Sequence, residues 1–142
     1  MLLFDRRQSS ENQFKITDVD LWALTIMINR AAVILRYKEP AVAWINEADP
    51  INDNAGISIE SANEERTVYL IRDTDADTPA DVEEWIRLNY EVLFESELEG
   101  WYTDEKLWPK NRSIKLFRNW FDVECHTVIV DTVESPIEDD ET

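Results

Sequence analysis

Thr67-Val68-Tyr69-Leu70-Ile71, followed by Arg72-Asp73-Thr74-Asp75-Ala76-Asp77 and then Thr78-Pro79-Ala80-Asp81, reads as a strand running through an acidic turn into a helix. The first five residues are β-branched, aromatic or aliphatic, side chains that suit a pleated and half-buried surface. Thr78 is a good N-cap, Pro79 suits the first helical position, and Asp81 stands where a carboxylate reaches back to close a capping box. Val82, Trp85, Ile86, Leu93 and Leu98 then form a broad apolar face. The helix is expected to run from Pro79 to about Glu99, with Gly100 as its stop.

Toward the N-terminus, Ala31 to Tyr37 reads as a second strand, ended by Pro40. Pro40 opens a short helix, Ala41 to Ala48, closed by Asp49-Pro50. Asn52 to Gly56 is turn chemistry, and Ser58 would cap a helix from Ile59 to Glu65. Leu21 to Ile28 fits two readings, a helix capped by Thr17 or a buried strand. Toward the C-terminus, Ser113 would cap a helix from Ile114 to about Val123, with Ile114, Phe117, Trp120 and Phe121 at helical spacing. A last strand is expected at Thr127 to Val130. The class is therefore α+β: a small sheet of three to four strands with helices packed largely on one face. Residues 17–133 are expected to form one domain between a polar N-terminal tail, 1–16, and an acidic C-terminal tail, 134–142.

The chain has 142 residues, within the size of one domain and enough to bury about 70% of its unfolded surface without a disulfide or metal. Its 14 Lys and Arg face 31 Asp and Glu, for a net charge of -17. Nucleic acid and anionic membrane both select basic surfaces, so neither is an expected partner. The lone Cys125 excludes an internal disulfide and any multi-cysteine metal site, and the lone His126 excludes two-histidine zinc motifs. A reduced, cytoplasmic setting is expected. Met1 to Phe4 is too short a run for a signal peptide, and Leu21 to Leu35 is too short and too interrupted to span a bilayer. Only Gly56 and Gly100 occur in the chain, which removes the glycine-rich phosphate loops.

The stretch Glu97-Leu98-Glu99-Gly100-Trp101-Tyr102-Thr103-Asp104, then Leu107-Trp108-Pro109, Phe117, Trp120-Phe121-Asp122-Val123-Glu124 and His126 resembles a group of small uncharacterised bacterial α+β proteins. Arg36 to Pro40 and Thr67 to Leu70 look similar too, so the likeness covers about residues 30–131. The resemblance implies a bacterial protein with one compact domain. No activity is attached to the group, so none is carried over.

Three features are candidate sites. Asp73, Asp75, Asp77, Asp81 and Glu84 fall at positions 1, 3, 5, 9 and 12 of a calcium-loop pattern. Thr78 occupies the position that should be glycine, and a strand precedes the loop where a helix should. The same acids also suit a helix start, where the dipole favours them. Trp101, Tyr102 and Trp108, with Lys110 and Arg112, lie in the connection between two helices. They read either as an aromatic and basic binding surface or as a flap folded over the core. Cys125 and His126 are neighbours, which suggests a thiolate–imidazole pair, but adjacent residues in extended chain point to opposite faces. Among so many acids, the clusters Glu95, Glu97 and Glu99 or Asp122 and Glu124 are expected by chance.

Charge is also segregated. Asp73 to Glu105 carries twelve acids and one base, Lys106 to Arg118 carries five bases and no acid, and Asp122 to the end carries eight acids and no base. The basic strip either lies against the acidic helix or stands apart as a second pole. The expected function is a small acidic protein that binds a protein partner, a basic one by charge, as an adaptor, inhibitor or immunity-like protein. The alternatives are a divalent-cation protein or carboxylate-dependent enzyme centred on residues 73–84, with Ca2+ as the only cofactor in view, and a structural homo-oligomer.

Overall fold

The computed structural model describes residues 27–51 and 56–141. The expected N-terminal tail, residues 21–26 of the two-way stretch, and most of the Asn52 to Gly56 turn lie outside them.

Residues Asn29–Thr127 form one compact unit. Its elements are β1 (Arg30–Tyr37), α1 (Glu39–Glu47), α2 (Ile59–Ala62), β2 (Val68–Arg72), a 3-10 turn (Asp73–Ala76), α3 (Pro79–Trp101), a second 3-10 turn (Glu105–Leu107), α4 (Ile114–Trp120) and β3 (Phe121–His126). This is the α+β class expected. The three strands form an antiparallel sheet in the order β2-β1-β3. Val33 lies opposite Tyr69 on one side and Cys125 on the other; Tyr37 lies opposite Phe121.

That register sorts the side chains. Ala31, Val33, Leu35 and Tyr37 of β1, with Ile71 of β2 and Phe121 of β3, belong to the core cluster. Strand residues alternate, so these share one face. Helices α1, α3 and α4 cover it with Ile45, Ile86, Phe94, Leu98, Phe117 and Trp120. The centre is aromatic: Phe94 lies 5.8 Å from Phe117, 5.3 Å from Trp120 and 5.7 Å from Phe121, ring centre to ring centre. The Phe94 pairs with Phe117, Trp120 and Phe121 are edge-on, the arrangement that the ring quadrupole favours. Removing a fully buried Phe from such a cluster costs about 3–5 kcal/mol.

The capping box at the start of α3 is complete. Thr78 Oγ1 accepts from the Asp81 amide at 3.2 Å, and Asp81 Oδ2 accepts from the Thr78 amide at 3.0 Å. Ser58 and Ser113 cap α2 and α4 as their sequences predict.

Four boundaries differ from expectation. Gly100 does not stop α3; the helix continues through it to Trp101, which packs on the core. Helix α2 ends at Ala62 rather than Glu65, since Asn63 leaves the helix and turns its side chain to β1. Helix α4 ends at Trp120 rather than Val123, and the last strand is Phe121–His126 rather than Thr127 to Val130. Phe121, Val123 and Cys125 alternate with Asp122, Glu124 and His126, a period of two that overrides the helical spacing of Phe117, Trp120 and Phe121.

A second unit comprises Met1–Ile28 with Val128–Thr142. Within it Met27 bridges Val130 antiparallel, and the Ile28 amide donates to the Ile129 carbonyl at 2.9 Å. No helix of the described residues is long and apolar enough to cross a membrane.

Candidate functional site

The most unusual side chain in the core is an acid. Glu97 is buried on α3 among Leu93, Phe94 and Leu98. It lies four residues before Trp101, and that spacing puts both on one helix face. Tyr37 and Tyr69 reach it from the sheet. Tyr37 donates to Glu97 Oε1 at 2.6 Å and Tyr69 donates to Oε2 at 2.5 Å. Trp101 Nε1 in turn donates to the Tyr37 hydroxyl at 2.9 Å, and the Tyr69 hydroxyl lies 3.0 Å from Ser96 Oγ. The register explains the meeting: Tyr69 lies opposite Val33, on the same sheet face as Tyr37.

This arrangement fixes the protons. Burial pushes the Tyr37 phenol far above its ordinary value, and the Glu97 carboxylate beside it adds to the rise. Burial and the hydrogen bond to Glu97 do the same for Tyr69. Both phenols are neutral donors at ordinary pH, so neither is a base or nucleophile. Each carboxylate oxygen holds one phenol, and no buried side-chain nitrogen or oxygen among the described residues lacks a partner. The cluster therefore ties β1, β2 and α3 together. Sequence reasoning passed over Glu97 as one acid among many. The signal was present in its position, an acid inside the apolar stripe of Leu93, Phe94, Leu98 and Trp101.

The acids of the calcium-loop pattern are engaged separately. Asp75 pairs with Arg72 at 3.2 Å, Asp81 closes the capping box, and Glu84 pairs with Arg87. That guanidinium holds the Glu84 carboxyl below the usual carboxylate range. Asp73 and Asp77 are exposed. No group of three or more His, Cys, Asp or Glu among the described residues stands close enough to share a metal ion.

The aromatic connection spends its polar atoms inside the chain. Besides the Trp101 bond, Tyr102 donates to the Ile45 carbonyl at 2.5 Å and Trp108 Nε1 to the Tyr102 carbonyl at 2.7 Å. Trp44 Nε1 donates to the Leu107 carbonyl at 2.9 Å, fastening the connection to α1. Trp101 and Trp108 are half-buried against the core, and Tyr102 packs edge-on to Trp44 at 5.3 Å. Arg112 lies over the Trp108 ring at 5.8 Å, donates to the Pro109 carbonyl and pairs with Glu95 at 3.0 Å. Of the five residues singled out here, only Lys110 is exposed.

Cys125 and His126 sit in β3 opposite Val33 and Ala32, and so on opposite faces. Burial pushes the Cys125 thiol up, which favours its protonated form. His126 Nε2 lies 3.7 Å from Glu124 on the other face.

Two of the five bases of the basic strip, Arg112 and Arg118, lie against acids. Arg118 reaches Glu83 at 2.8 Å and Arg112 reaches Glu95, both from the α4 side onto α3. Arg66 binds Glu124 at 2.8 Å and holds its carboxyl low, and Lys38 lies 3.8 Å from Asp122.

No protein family, curated protein or solved structure matches the chain.

Proposed function

We propose that this chain is an acidic binding protein whose partner is a cationic polypeptide, met in the cytoplasm. The observation that carries the reading is ionic. Six of the 14 Lys and Arg, at positions 38, 66, 72, 87, 112 and 118, stand in ion pairs with acids of the same chain. Those six pairs cancel within the chain, and the whole sequence still carries 17 more acids than bases, 31 less 14. A field of that sign speeds encounter with basic surfaces and opposes acidic ones. Nucleic acid and anionic lipid are disfavoured partners for the same reason. The half-buried, internally bonded rings of the Trp101 to Trp108 connection support a scaffold role there, so the docking surface is sought elsewhere.

The test is a pull-down from native lysate at low and high salt. A basic protein held in near-stoichiometric amount at low salt and released by high salt supports the reading. Recovery of nothing, or of acidic proteins only, overturns it.

A further inference from the structure

We propose that the free edge of β2, with the apolar groove beside it, accepts an extended segment of another polypeptide as an added strand, and that this segment carries Lys or Arg at both ends. The inference rests on the cationic-partner reading and names its surface.

The edge itself is the first observation. In the order β2-β1-β3, β2 pairs with β1 on one side only. Among the described residues, no backbone group of Val68 to Ile71 is hydrogen-bonded to anything on its outer side. Such an edge presents a row of unpaired donors and acceptors, the template for strand addition.

Apolar surface flanks the edge on both sides. Val68 and Leu70 are 53% and 49% exposed. They lie opposite Ile34 and Ala32, on the sheet face away from the core cluster. On the helix side, Tyr69 of β2 with Trp85, Asn89, Val92 and Leu93 of α3 line a groove of about 360 Å³ that Val68 and Leu70 border along the strand edge. Val92 and Leu88, one helical turn apart on α3, are 69% and 66% exposed. An added strand would place alternate side chains over Val68 and Leu70 and into the groove against Trp85 and Val92.

Charge decides the occupant. Glu64 and Glu65 precede β2; Asp73, Asp75 and Asp77 follow it. The arginines next to the strand are already engaged, Arg66 with Glu124 and Arg72 with Asp75. A second copy of the chain pairing antiparallel would set Glu64 and Glu65 against Asp73 and Asp77 of its twin. A parallel pairing would set like ends together. Both juxtapose acids, and like charges directly opposed are destabilising. A segment with an apolar centre and basic ends meets the same surface with complementary charge at each end.

The probe is a synthetic nine-residue peptide with two lysines at each end and alternating valine and threonine between them. A second peptide has proline at the centre, and a third has glutamates replacing the lysines. Backbone amide shifts and hydrogen exchange of the full chain are followed during titration. The expected result is protection of the outward amides of β2 and shifts at Leu88 and Val92 with the first peptide alone, weakened by salt. Val92→Arg, on a helix surface that packs on nothing in the core, should lower affinity at least tenfold while leaving the fold intact. Equal binding by the proline peptide, or shifts scattered over the acidic surface, overturns the groove but leaves the cationic-partner reading standing. Absence of any lysine-peptide binding counts against both. β2 amides protected before peptide is added overturn the proposal too: doubled mass identifies a second copy, and monomeric mass identifies the chain's own remaining residues.

Discussion

Tyr69 and Glu97 are joined by a 2.5 Å hydrogen bond that fastens the edge strand β2 to the long helix α3. The same carboxylate holds Tyr37 of the central strand on its other oxygen. A single acid therefore clamps two strands to one helix from inside the core. Burying a carboxylate is costly unless every lone pair in need of a donor has one, and two phenols supply them here.

Replacing Glu97 should therefore hurt in proportion to the acceptors lost. Glu97→Leu fills the volume but strands two buried hydroxyls, each costing about 1–3 kcal/mol. Glu97→Gln keeps one acceptor and is expected to lose less than half as much. Urea unfolding of the two variants measures both. Equal stability of Glu97→Leu and the native chain would mean that the clamp contributes nothing.

The two phenols also set a limit at high pH. Their pKa values are raised in the folded state, by burial first and Glu97 next, above an unfolded value of about 10. Below that value both states hold the proton, and stability does not respond. Above it the unfolded chain releases protons that the folded chain keeps, so stability falls as pH rises. The slope is at most about 1.4 kcal/mol per pH unit for each tyrosine. Alkaline denaturation of Tyr37→Phe and Tyr69→Phe should show shallower loss per pH unit from pH 10 upward, even though each variant begins less stable. Phenolate absorbance should show these two groups ionising together with unfolding and not before it.

Where local chemistry and tertiary packing agree, the sequence predicts the structure. Thr78, Pro79 and Asp81 announce the start of α3 because capping is decided within four residues. The end of α3 is different: Gly100 signals a stop, yet the next residue, Trp101, has a core site and a hydrogen bond to Tyr37. Likewise Phe121 fits both the helical period before it and the alternating period after it, and only pairing with Tyr37 decides for the strand. Glu97 escaped notice for a related reason. Its partners lie 60 and 28 residues away in sequence, and no local pattern links them.

The helical Gly100 leads directly to a stabilising change. It carries no positive φ, and a Cβ built there meets nothing within 4 Å. Gly100→Ala should raise stability by about 0.4–1 kcal/mol, by narrowing the unfolded ensemble and favouring the helix. Gly56 is the contrast: its φ is +148°, where a side chain is strained, so Gly56→Ala should lower stability. Melting temperatures that move in the same direction for both would contradict this assignment.

Asn63 ends helix α2 and does the work of a neighbouring strand for β1. Its Oδ1 accepts from the Tyr37 amide at 2.8 Å, and its Nδ2 donates to the Tyr37 carbonyl at 3.2 Å and to the Ile59 carbonyl at 2.9 Å. Tyr37 is the last residue of β1, and the same residue carries the phenol bound to Glu97, so the amide at its backbone and the carboxylate at its ring hold it at both ends. Asn63→Ala removes all three bonds and is expected to cost about 1–3 kcal/mol. Asn63→Asp keeps the acceptor for the Tyr37 amide but turns a carboxylate toward two carbonyls, so it should cost at least as much near neutral pH and recover partly when acidified. Hydrogen exchange at the Tyr37 amide separates the two: it should quicken strongly in Asn63→Ala and less in Asn63→Asp. Unchanged exchange in both would show that the strand end is held by its ladder with β3 alone.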